Sequence, residues 1–394
     1  MENVETFELA AAAEAAGYRA CLRCRPYRVA GTVADDAPEI VCRAVQMIIA
    51  GALDDATEDA LGQRLGLSAR HLRRMFNEHL GVTPDQFARS RRAHFARRLL
   101  DDSDLTVADI AFASGFGSLR QFNRAMKEIF RASPSELRAR RRRSDRLAAD
   151  GGLTLRLPFT PPYDWPAMLA VLGSRLVAGV ESIEDQTYRR TIALDGAPGV
   201  LEIGPGGADH LLLRAHLPYW EGVIHVVAKA AALVGLDSEP VLATAQLAGD
   251  PLLGPMIAAR PGVRVPGSWA PFETAAVATG VAADIVREHG IPVAGLDHGL
   301  THLFPAVDEL GATEELTVAE NPDETARQWI ALRTGERDAF PAEDPVIAAA
   351  AGEADTSRWR PWRSLATIHL LVDRLGPRRG DRDAAATTPR QASR

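Results

Sequence analysis

Two stretches of this chain follow the same plan: LGQRLGLSARHLRRMFNEHLGVTPDQF (residues 61–87) and IAFASGFGSLRQFNRAMKEIFRASPSEL (110–137). Each predicts a short helix, a glycine-containing turn, and a second helix whose first free N–H groups are capped by a serine. The two serines, Ser68 and Ser118, lie fifty positions apart, as do the closing Thr-Pro and Ser-Pro pairs. The repeat therefore predicts two helix–turn–helix units in series.

The second helix of each unit has apolar residues at helical spacing and polar residues on its outer face. The candidate DNA-binding residues, including the capping serines, are Ser68, Arg70, His71, Arg73 and Arg74 in the first unit and Ser118, Arg120, Gln121, Asn123 and Arg124 in the second. In a helix–turn–helix unit such side chains face base edges in the major groove. One such helix could be an ordinary solvated basic face, but two copies in register favour DNA binding.

The charge of the chain is unevenly distributed. Residues 61–143 contain 18 Arg and Lys against 8 Asp and Glu, a local balance of +10. Because the whole chain has a formal net charge of −7, the remainder carries −17. A basic segment within an acidic protein is typical of phosphate binding.

The paired units resemble the DNA-binding domain of AraC-type transcription regulators over residues 40–142, since each unit closes with a proline-containing turn before the next helix. The resemblance implies an all-α double helix–turn–helix domain. It also implies double-stranded promoter DNA as the partner, with RNA polymerase as a further one.

Length and composition place the chain among soluble multidomain proteins. Its 394 residues predict two or three domains. No window approaches the roughly 20 apolar residues of a membrane span, and the N-terminus lacks the pattern of a signal peptide. Three cysteines cannot form a disulfide framework, which fits a reducing compartment. We therefore expect a cytoplasmic protein without a membrane partner.

Cys21 and Cys24 have the two-residue gap at which two thiolates chelate one metal ion. A structural zinc site needs four ligands and no second pair follows, so spacing alone favours free thiols. The phrase GYRACLRCRP (17–26) resembles the closing half of the zinc-binding, methyl-accepting domain of Ada-type regulators. We expect residues 1–35 to be a remnant of that domain and expect no cofactor. Zinc would require two further cysteines upstream.

A basic, then glycine-rich stretch from residue 143 predicts a domain boundary. Beyond it, residues 150–225 predict an α+β subdomain in which one helix packs on an antiparallel sheet. The predicted strands are LTLRLPF (153–159), YRRTIAL (188–194), GVLEIGP (199–205) and HLLLRAHL (210–217), with the helix WPAMLAVLGSRLV (165–177) between the first two. PPYDWPAMLAVLGSRLVAGVE (161–181) resembles the start of AlkA-type 3-methyladenine DNA glycosylases. In that family an aromatic pocket residue stands at the position of Val171.

Residues 226–375 predict a mostly helical, glycosylase-like domain. The phrases RDAFPAEDPV (337–346) and SRWRPWRSLATIHLL (357–371) resemble the closing part of the AlkA branch of helix–hairpin–helix glycosylases. The resemblance implies that Asp344 is the catalytic carboxylate and that Trp329 lines the base pocket. Trp359 and Trp362 are interpreted as core braces, and the family's last pocket aromatic is replaced by Leu371. From position alone, Asp344 is interpreted as an ordinary helix cap after a proline turn.

Two phrases of the glycosylase family are missing. The segment AAVATGVAADIVREHG (275–290) replaces a helix that would supply the wedge for the vacated base stack. NPDETARQWIALR (321–333) replaces a glycine-rich hairpin whose N–H groups would hold a phosphate. We therefore expect the hairpin to be absent.

The predicted fold class is multidomain α and α+β, with a disordered tail over residues 376–394. The first functional hypothesis is a transcription regulator fused to an alkylated-base glycosylase of the adaptive response to alkylation. The second is a regulator whose C-terminal half is a degenerate enzyme, and the third is a decayed gene product with only local function.

Overall fold

The structure is a computed structural model, and it describes residues 5–7, 9–20, 37–141, 146–147, 152–237, 240–311 and 313–376. Cys21, Cys24 and all but the first residue of the predicted tail lie outside this set. The N-terminal helices are α1 (Ala10–Ala15), α2 (Glu39–Ile49), α3 (Glu58–Arg64), α4 (Ala69–Leu80), α5 (Pro84–Asp102), α6 (Val107–Ala113), α7 (Leu119–Phe130) and α8 (Pro134–Ala139). No helix in the described ranges is long and apolar enough to cross a membrane.

The two predicted helix–turn–helix units are confirmed as α3–α4 and α6–α7. The Ser68 hydroxyl accepts a hydrogen bond from the backbone N–H of His71, and the Ser118 hydroxyl accepts one from Gln121, both at 3.3 Å. Thr83 starts α5 with a capping box, in which cap and third helical residue satisfy each other's backbone N–H groups. These caps fix where each second helix begins, and hence which side chains lie on its outer face.

The first unit has its own hydrophobic core, but the second unit shares a core with the sheet that follows it. Leu72 and Phe76 of α4 belong to the separate cluster. Leu99 of α5 and Phe122 of α7 lie in one continuous buried cluster with Leu155 of the first strand. The second helix–turn–helix unit and the sheet are therefore packed as one body.

Polar contacts tie the same parts together. The Asp102 carboxylate at the end of α5 accepts a hydrogen bond from Arg156 Nη1 at 2.6 Å, and Asp102 is almost completely buried. Asp54, in the turn after α2, accepts from Arg92 of α5 at 2.6 Å and lies 2.5 Å from His225 Nε2. These contacts connect α5 and the turn after α2 to the C-terminal half.

The predicted α+β subdomain is confirmed, with one strand more than expected. Its elements are β1 (Leu153–Pro158), α9 (Trp165–Gly173), β2 (Glu181–Glu184), β3 (Thr187–Leu194), β4 (Ala197–Pro205) and β5 (His210–His216). The strands form one antiparallel sheet in the order β1-β5-β4-β3-β2. β2 escaped prediction because its sequence ESIE lacks an apolar alternation. It is held by a two-residue hairpin in which Asp185 and Gln186 both have positive φ.

The rest of the described chain is mainly helical, as predicted. Its helices are α10 (Val223–Leu233), α11 (Val241–Leu247), α12 (Leu253–Ala259), α13 (Pro271–Thr279), α14 (Ala282–His289), α15 (Glu314–Glu320), α16 (Glu324–Arg333), α17 (Pro345–Ala351) and α18 (Arg363–Leu375). Two short strands, β6 (Ile291–Pro292) and β7 (His302–Leu303), pair between α14 and α15. α18 packs against α9, α12 and α17, which brings the sheet subdomain against the helices around Asp344.

Candidate functional site

The predicted DNA-binding side chains lie on the outer faces of α4 and α7. His71 is half-buried, and Ser68 and Ser118 serve as helix caps. The other seven side chains are exposed: Arg70, Arg73, Arg74, Arg120, Gln121, Asn123 and Arg124. The apolar faces of both helices are buried, because Phe76 and Phe122 are fully enclosed. In each unit the polar face of the second helix is therefore exposed, while its apolar face is fixed in the core.

Several of these side chains already have partners within the protein. Arg73 forms an ion pair with Glu58 of α3, and Arg74 is hydrogen-bonded to the His71 ring at 3.0 Å. Asn123 donates to the Leu119 carbonyl at 2.8 Å. By contrast, Arg70, Arg120 and Gln121 have no side-chain hydrogen bond to any described residue, so they can meet base edges without breaking one. The predicted DNA-binding surface therefore contains side chains that are already hydrogen-bonded within the protein and side chains that are not.

Asp344 lies at the N-terminus of α17 and is almost completely buried. Its Oδ1 accepts from the backbone N–H groups of Val346 and Ile347, at 2.9 and 3.2 Å. Its Oδ2 accepts from the Trp329 indole N–H at 2.9 Å and from Arg175 at 3.2 Å. The prediction of a helix cap is confirmed, and the same carboxylate also contacts the predicted pocket aromatic.

Trp329 lies on α16 and is nearly buried. The Arg175 guanidinium lies over its ring, with Cζ 4.4 Å from the ring centroid. Burial lowers the pKa of this guanidinium, although the neighbouring Asp344 carboxylate opposes the change. The three side chains form an acid, an aromatic face and a cation in mutual contact.

A narrow cavity of about 50 Å³ lies beside this trio. Among the residues that form its wall are Arg175, Trp329, Trp269, Glu273, Val171 and Leu371. Val171 and Leu371 thus occupy the wall positions at which the sequence departs from the glycosylase family. The cavity is smaller than the ~150 Å³ that accommodates benzene, so a purine enters only if a wall residue moves.

Buried charges form the far wall of the cavity. Arg190 of β3 is fully buried and donates two hydrogen bonds to the Glu273 carboxylate, at 2.9 and 3.0 Å. Its guanidinium also lies over Trp269, 4.5 Å from the ring centroid. Burial acts to lower the pKa of Arg190, but Glu273, Tyr188 and Glu181 together outweigh it and the pKa is raised. Arg190 is therefore a permanent positive charge that holds this wall in place.

Three family models match the chain. They are the "Metal binding domain of Ada" at residues 1–27, the "Helix-turn-helix domain" at 61–140 and the "AlkA N-terminal domain" at 154–270. A protein of Mycobacterium tuberculosis H37Rv named "Probable bifunctional transcriptional activator/DNA repair enzyme AlkA" is 30% identical over 433 residues, which cover 93% of this chain and 87% of the relative. The chain belongs to this family. The bifunctional AlkA family therefore accounts for all three resemblances predicted from the sequence.

Two further similarities concern parts of the bifunctional AlkA chain. DNA-3-methyladenine glycosylase 2 of Escherichia coli K12 is 36% identical over 121 residues, which cover 30% of this chain and 40% of that enzyme. The solved structure of a 3-methyladenine DNA-glycosylase from Archaeoglobus fulgidus aligns with a TM-score of 0.47 at 15% identity, covering 55% of this chain and 97% of the other.

Residues 313–333, where the sequence predicts that the glycine-rich hairpin is absent, form the consecutive helices α15 and α16. These helices are joined by the turn Asn321–Asp323. The turn has no glycine, and the Asp323 carboxylate accepts from the Ala326 backbone N–H at 2.7 Å. A negative side chain thus occupies the N-terminus of α16, where it opposes the binding of an anion.

Trp359 and Trp362 were predicted to be braces rather than pocket residues. Trp359 is fully buried and its indole N–H donates to Asp250 at 2.9 Å, while Trp362 donates to Gln246 at 2.9 Å. Neither belongs to the cavity wall. Both therefore hold α18 against the preceding helices.

Sequence reasoning missed several residues of the site. Arg175 follows α9 and reaches a carboxylate 169 positions away, and no local pattern predicts such a contact. Arg190 did carry a signal: Arg189 and Arg190 are neighbours in a strand, so one of them must point inward. Lys229, which seemed remote in sequence, lies with Nζ 5.5 Å from the Trp269 ring centroid.

The metal prediction concerns Cys21 and Cys24, which lie outside the described residues. The third cysteine, Cys42, is on α2, and its thiol donates to the Ala37 carbonyl at 3.6 Å. Two thiolates do not complete the tetrahedral set of four ligands that structural zinc requires. The prediction about zinc therefore stays a prediction.

Proposed function

We infer that this chain is both a DNA-binding transcription regulator and a DNA glycosylase that hydrolyses the N-glycosidic bond of alkylated purines of the 3-methyladenine type. The regulator would be residues 40–142, and the glycosylase residues 150–375. The observation that carries the enzymatic half is the buried Asp344 carboxylate, in contact with Trp329 beside a cavity. The double name of its relative supports the pairing of the two activities.

The chemistry follows from the charge of Asp344. Glycosidic cleavage passes through a cation-like sugar, which a buried carboxylate stabilises while it orients the attacking water. An alkylated purine with a formal positive charge is already a good leaving group, so this site needs no strong general acid. The nucleotide has to leave the duplex and stack on an aromatic face, the part proposed for Trp329.

The test is base release from duplex DNA that contains 3-methyladenine. We expect abasic sites to form with the natural chain and to fall by at least about a hundredfold in Asp344→Asn, since one preorganised electrostatic group is worth that much. Glu343→Gln is the matched control, because Glu343 is the exposed neighbour of Asp344 and the substitution makes the same change from carboxylate to amide. Equal release by the natural chain and Asp344→Asn would refute the catalytic role.

A second candidate function is regulation alone, with a degenerate glycosylase half. Asp323 at the start of α16 and the narrow cavity favour it. In that case the same assay gives no release, while the chain still binds one promoter sequence in preference to others.

Binding of a specific promoter tests the DNA-binding half. Arg70→Ala and Arg120→Ala remove side chains without an intramolecular hydrogen bond among the described residues, and each should lower affinity by about 5- to 150-fold if it contacts a base. Arg287→Ala removes an exposed arginine of α14 and should leave the affinity unchanged. If specific and random DNA bind the natural chain equally, base readout by α4 and α7 is refuted.

A further inference from the structure

The hydrogen bond, ion pair and cation–π contact of the Arg175 side chain all lie at the candidate catalytic site. It follows α9 directly, and its Nη2 lies 3.2 Å from Asp344 Oδ2. Its Cζ lies 4.4 Å from the centroid of the Trp329 ring. The side chain is one-third exposed (34%) and lines the cavity beside both partners.

The contacts of this guanidinium are those that a methylated purine cation would need. Such a base is planar, carries a delocalised positive charge and has N–H donors at its edge. An arginine side chain has the same three properties, and it stacks on indole in the same way. Trp329 supplies the aromatic face and Asp344 the negative charge, and Arg175 now occupies both.

We propose that Arg175 is a resident cation in the base subsite formed by Trp329 and Asp344, and that a cationic methylated base binds by displacing it. This inference rests on the proposed glycosylase function, and it adds that Arg175 occupies the base subsite until a base binds. The displaced group is part of the chain itself, so the site is never an open pocket.

The hydrogen-bonding capacity of Asp344 requires an exchange rather than an addition. An ionised carboxylate has about four acceptor positions. Two are taken by the N–H groups of Val346 and Ile347, one by Trp329 and one by Arg175. The first three partners belong to fixed helices, whereas Arg175 is at the end of a long side chain. Arg175 is therefore the partner that a base replaces.

Space leads to the same conclusion. The cavity of about 50 Å³ holds no purine, but Arg175 is part of its wall. Withdrawal of Arg175 adds the volume of its side chain to the cavity and uncovers the Trp329 face. Since the side chain is one-third exposed, it can leave toward solvent without crossing the core.

Charge then selects the base that completes the exchange. Once Arg175 leaves, the buried Asp344 carboxylate lacks a counter-charge, which is strongly unfavourable. A cationic base restores the ion pair, whereas a neutral base of the same shape does not. The site should therefore bind cationic bases in preference to neutral ones.

The test is binding of 3,9-dimethyladeninium, a permanently cationic methylated purine, to the full chain by titration calorimetry. Arg175→Met keeps a long side chain and removes the charge, so we expect it to bind the cation at least tenfold more tightly than the natural chain. The gain should disappear in Arg175→Met combined with Asp344→Asn. Neutral 9-methyladenine should bind Arg175→Met at least tenfold more weakly than the cation. Unchanged or weaker binding of the cation by Arg175→Met overturns the proposal, as does equal binding of the neutral base.

Two controls keep the result interpretable. Arg214→Met removes an arginine that is largely exposed on the sheet, and it should leave the affinity for the cation unchanged. Arg175→Lys keeps the positive charge, so it should bind the cation no more tightly than the natural chain does; a tenfold gain would contradict displacement. Because this assay contains neither DNA nor a cleavage step, its outcome is independent of whether base release from DNA is observed.

Discussion

The two carboxylate oxygens of Asp344 have different tasks. One caps α17, and the other faces Trp329 and Arg175. A substitution that keeps the capping oxygen but removes the negative charge should therefore separate the structural role of Asp344 from its proposed catalytic role. Asp344→Asn is such a substitution, because asparagine is as good a helix cap as aspartate.

Asp344→Ala should lower the free energy of unfolding by about 1 kcal/mol more than Asp344→Asn does, because only alanine removes the cap. Both substitutions should lower base release by at least about a hundredfold. Urea unfolding of the two variants measures the first expectation, and the abasic-site assay measures the second. Equal stability of the two variants would show that the cap contributes nothing.

His369 gives the helical domain a pH dependence. It is buried on α18, and burial lowers its pKa to about 4. The unfolded chain, with a histidine pKa near ~6.5, then binds more protons than the folded chain between these values. Stability is lost as the pH falls through this window, by about 3 kcal/mol for this group.

His369→Leu should remove that part of the pH dependence, since leucine does not titrate. Unfolding by urea at pH 7 and pH 4 should show a smaller loss in the variant than in the natural chain. An identical loss in both would mean that His369 does not titrate differently in the folded and unfolded chains.

The family resemblance predicted Asp344 and Trp329 as site residues, and in the structure Trp329 Nε1 lies 2.9 Å from Asp344 Oδ2. Arg175 could not be predicted, because its contact joins the end of α9 to α17 across a tertiary interface. Trp269 was overlooked for a similar reason: its neighbours in the sequence are scaffold, and only folding places it in the cavity wall. Local motifs predict residues that share a helix or turn, but not those that meet through packing.

Among the helices, α16 begins with the negative charge of Asp323, which should repel the phosphates of DNA. Asp323→Ser should keep a cap on the Ala326 N–H while removing the negative charge from the helix N-terminus. Affinity for random duplex DNA at low salt should then rise severalfold, with little change in stability. Asp355→Ser is the control, because Asp355 caps a different short helix at residues 356–359. Equal affinity of Asp323→Ser and the natural chain would show that no phosphate approaches α16.

The elements themselves were predictable where sequence patterns are local. Serine caps and helical spacing predicted both helix–turn–helix units, and alternation predicted four strands. β2 was missed because its pairing with β3 depends on a turn in which Asp185 and Gln186 have positive φ, a conformation that Asp favours but Gln does not. The helical character of residues 313–333 and the lack of glycine in the turn between α15 and α16 could both be predicted from the sequence.

At the scale of the whole molecule, the ion pair between Asp102 and Arg156 joins the two halves. Asp102→Ala leaves Arg156 without this partner in a largely buried place and should cost about 3 kcal/mol. Asp104→Ala removes an exposed carboxylate that pairs with Arg141 and Arg146, so it should cost less than about 1 kcal/mol. Thermal unfolding distinguishes them, and equal losses would show that the interface is not tightly packed.

The second helix–turn–helix unit and the sheet share one hydrophobic core, so they should unfold together. Binding of DNA to the first of these parts should therefore change the unfolding of the other. All six tryptophans lie at residue 165 or beyond, so tryptophan fluorescence reports on the C-terminal half. A ligand that binds only the folded state stabilises everything that unfolds together with its site, by about 2.7 kcal/mol at a hundredfold excess over Kd. Promoter DNA bound by α7 should therefore raise the melting temperature that is measured by tryptophan fluorescence. This measurement would then report whether the operator is occupied, although all six tryptophans lie outside the helix–turn–helix units.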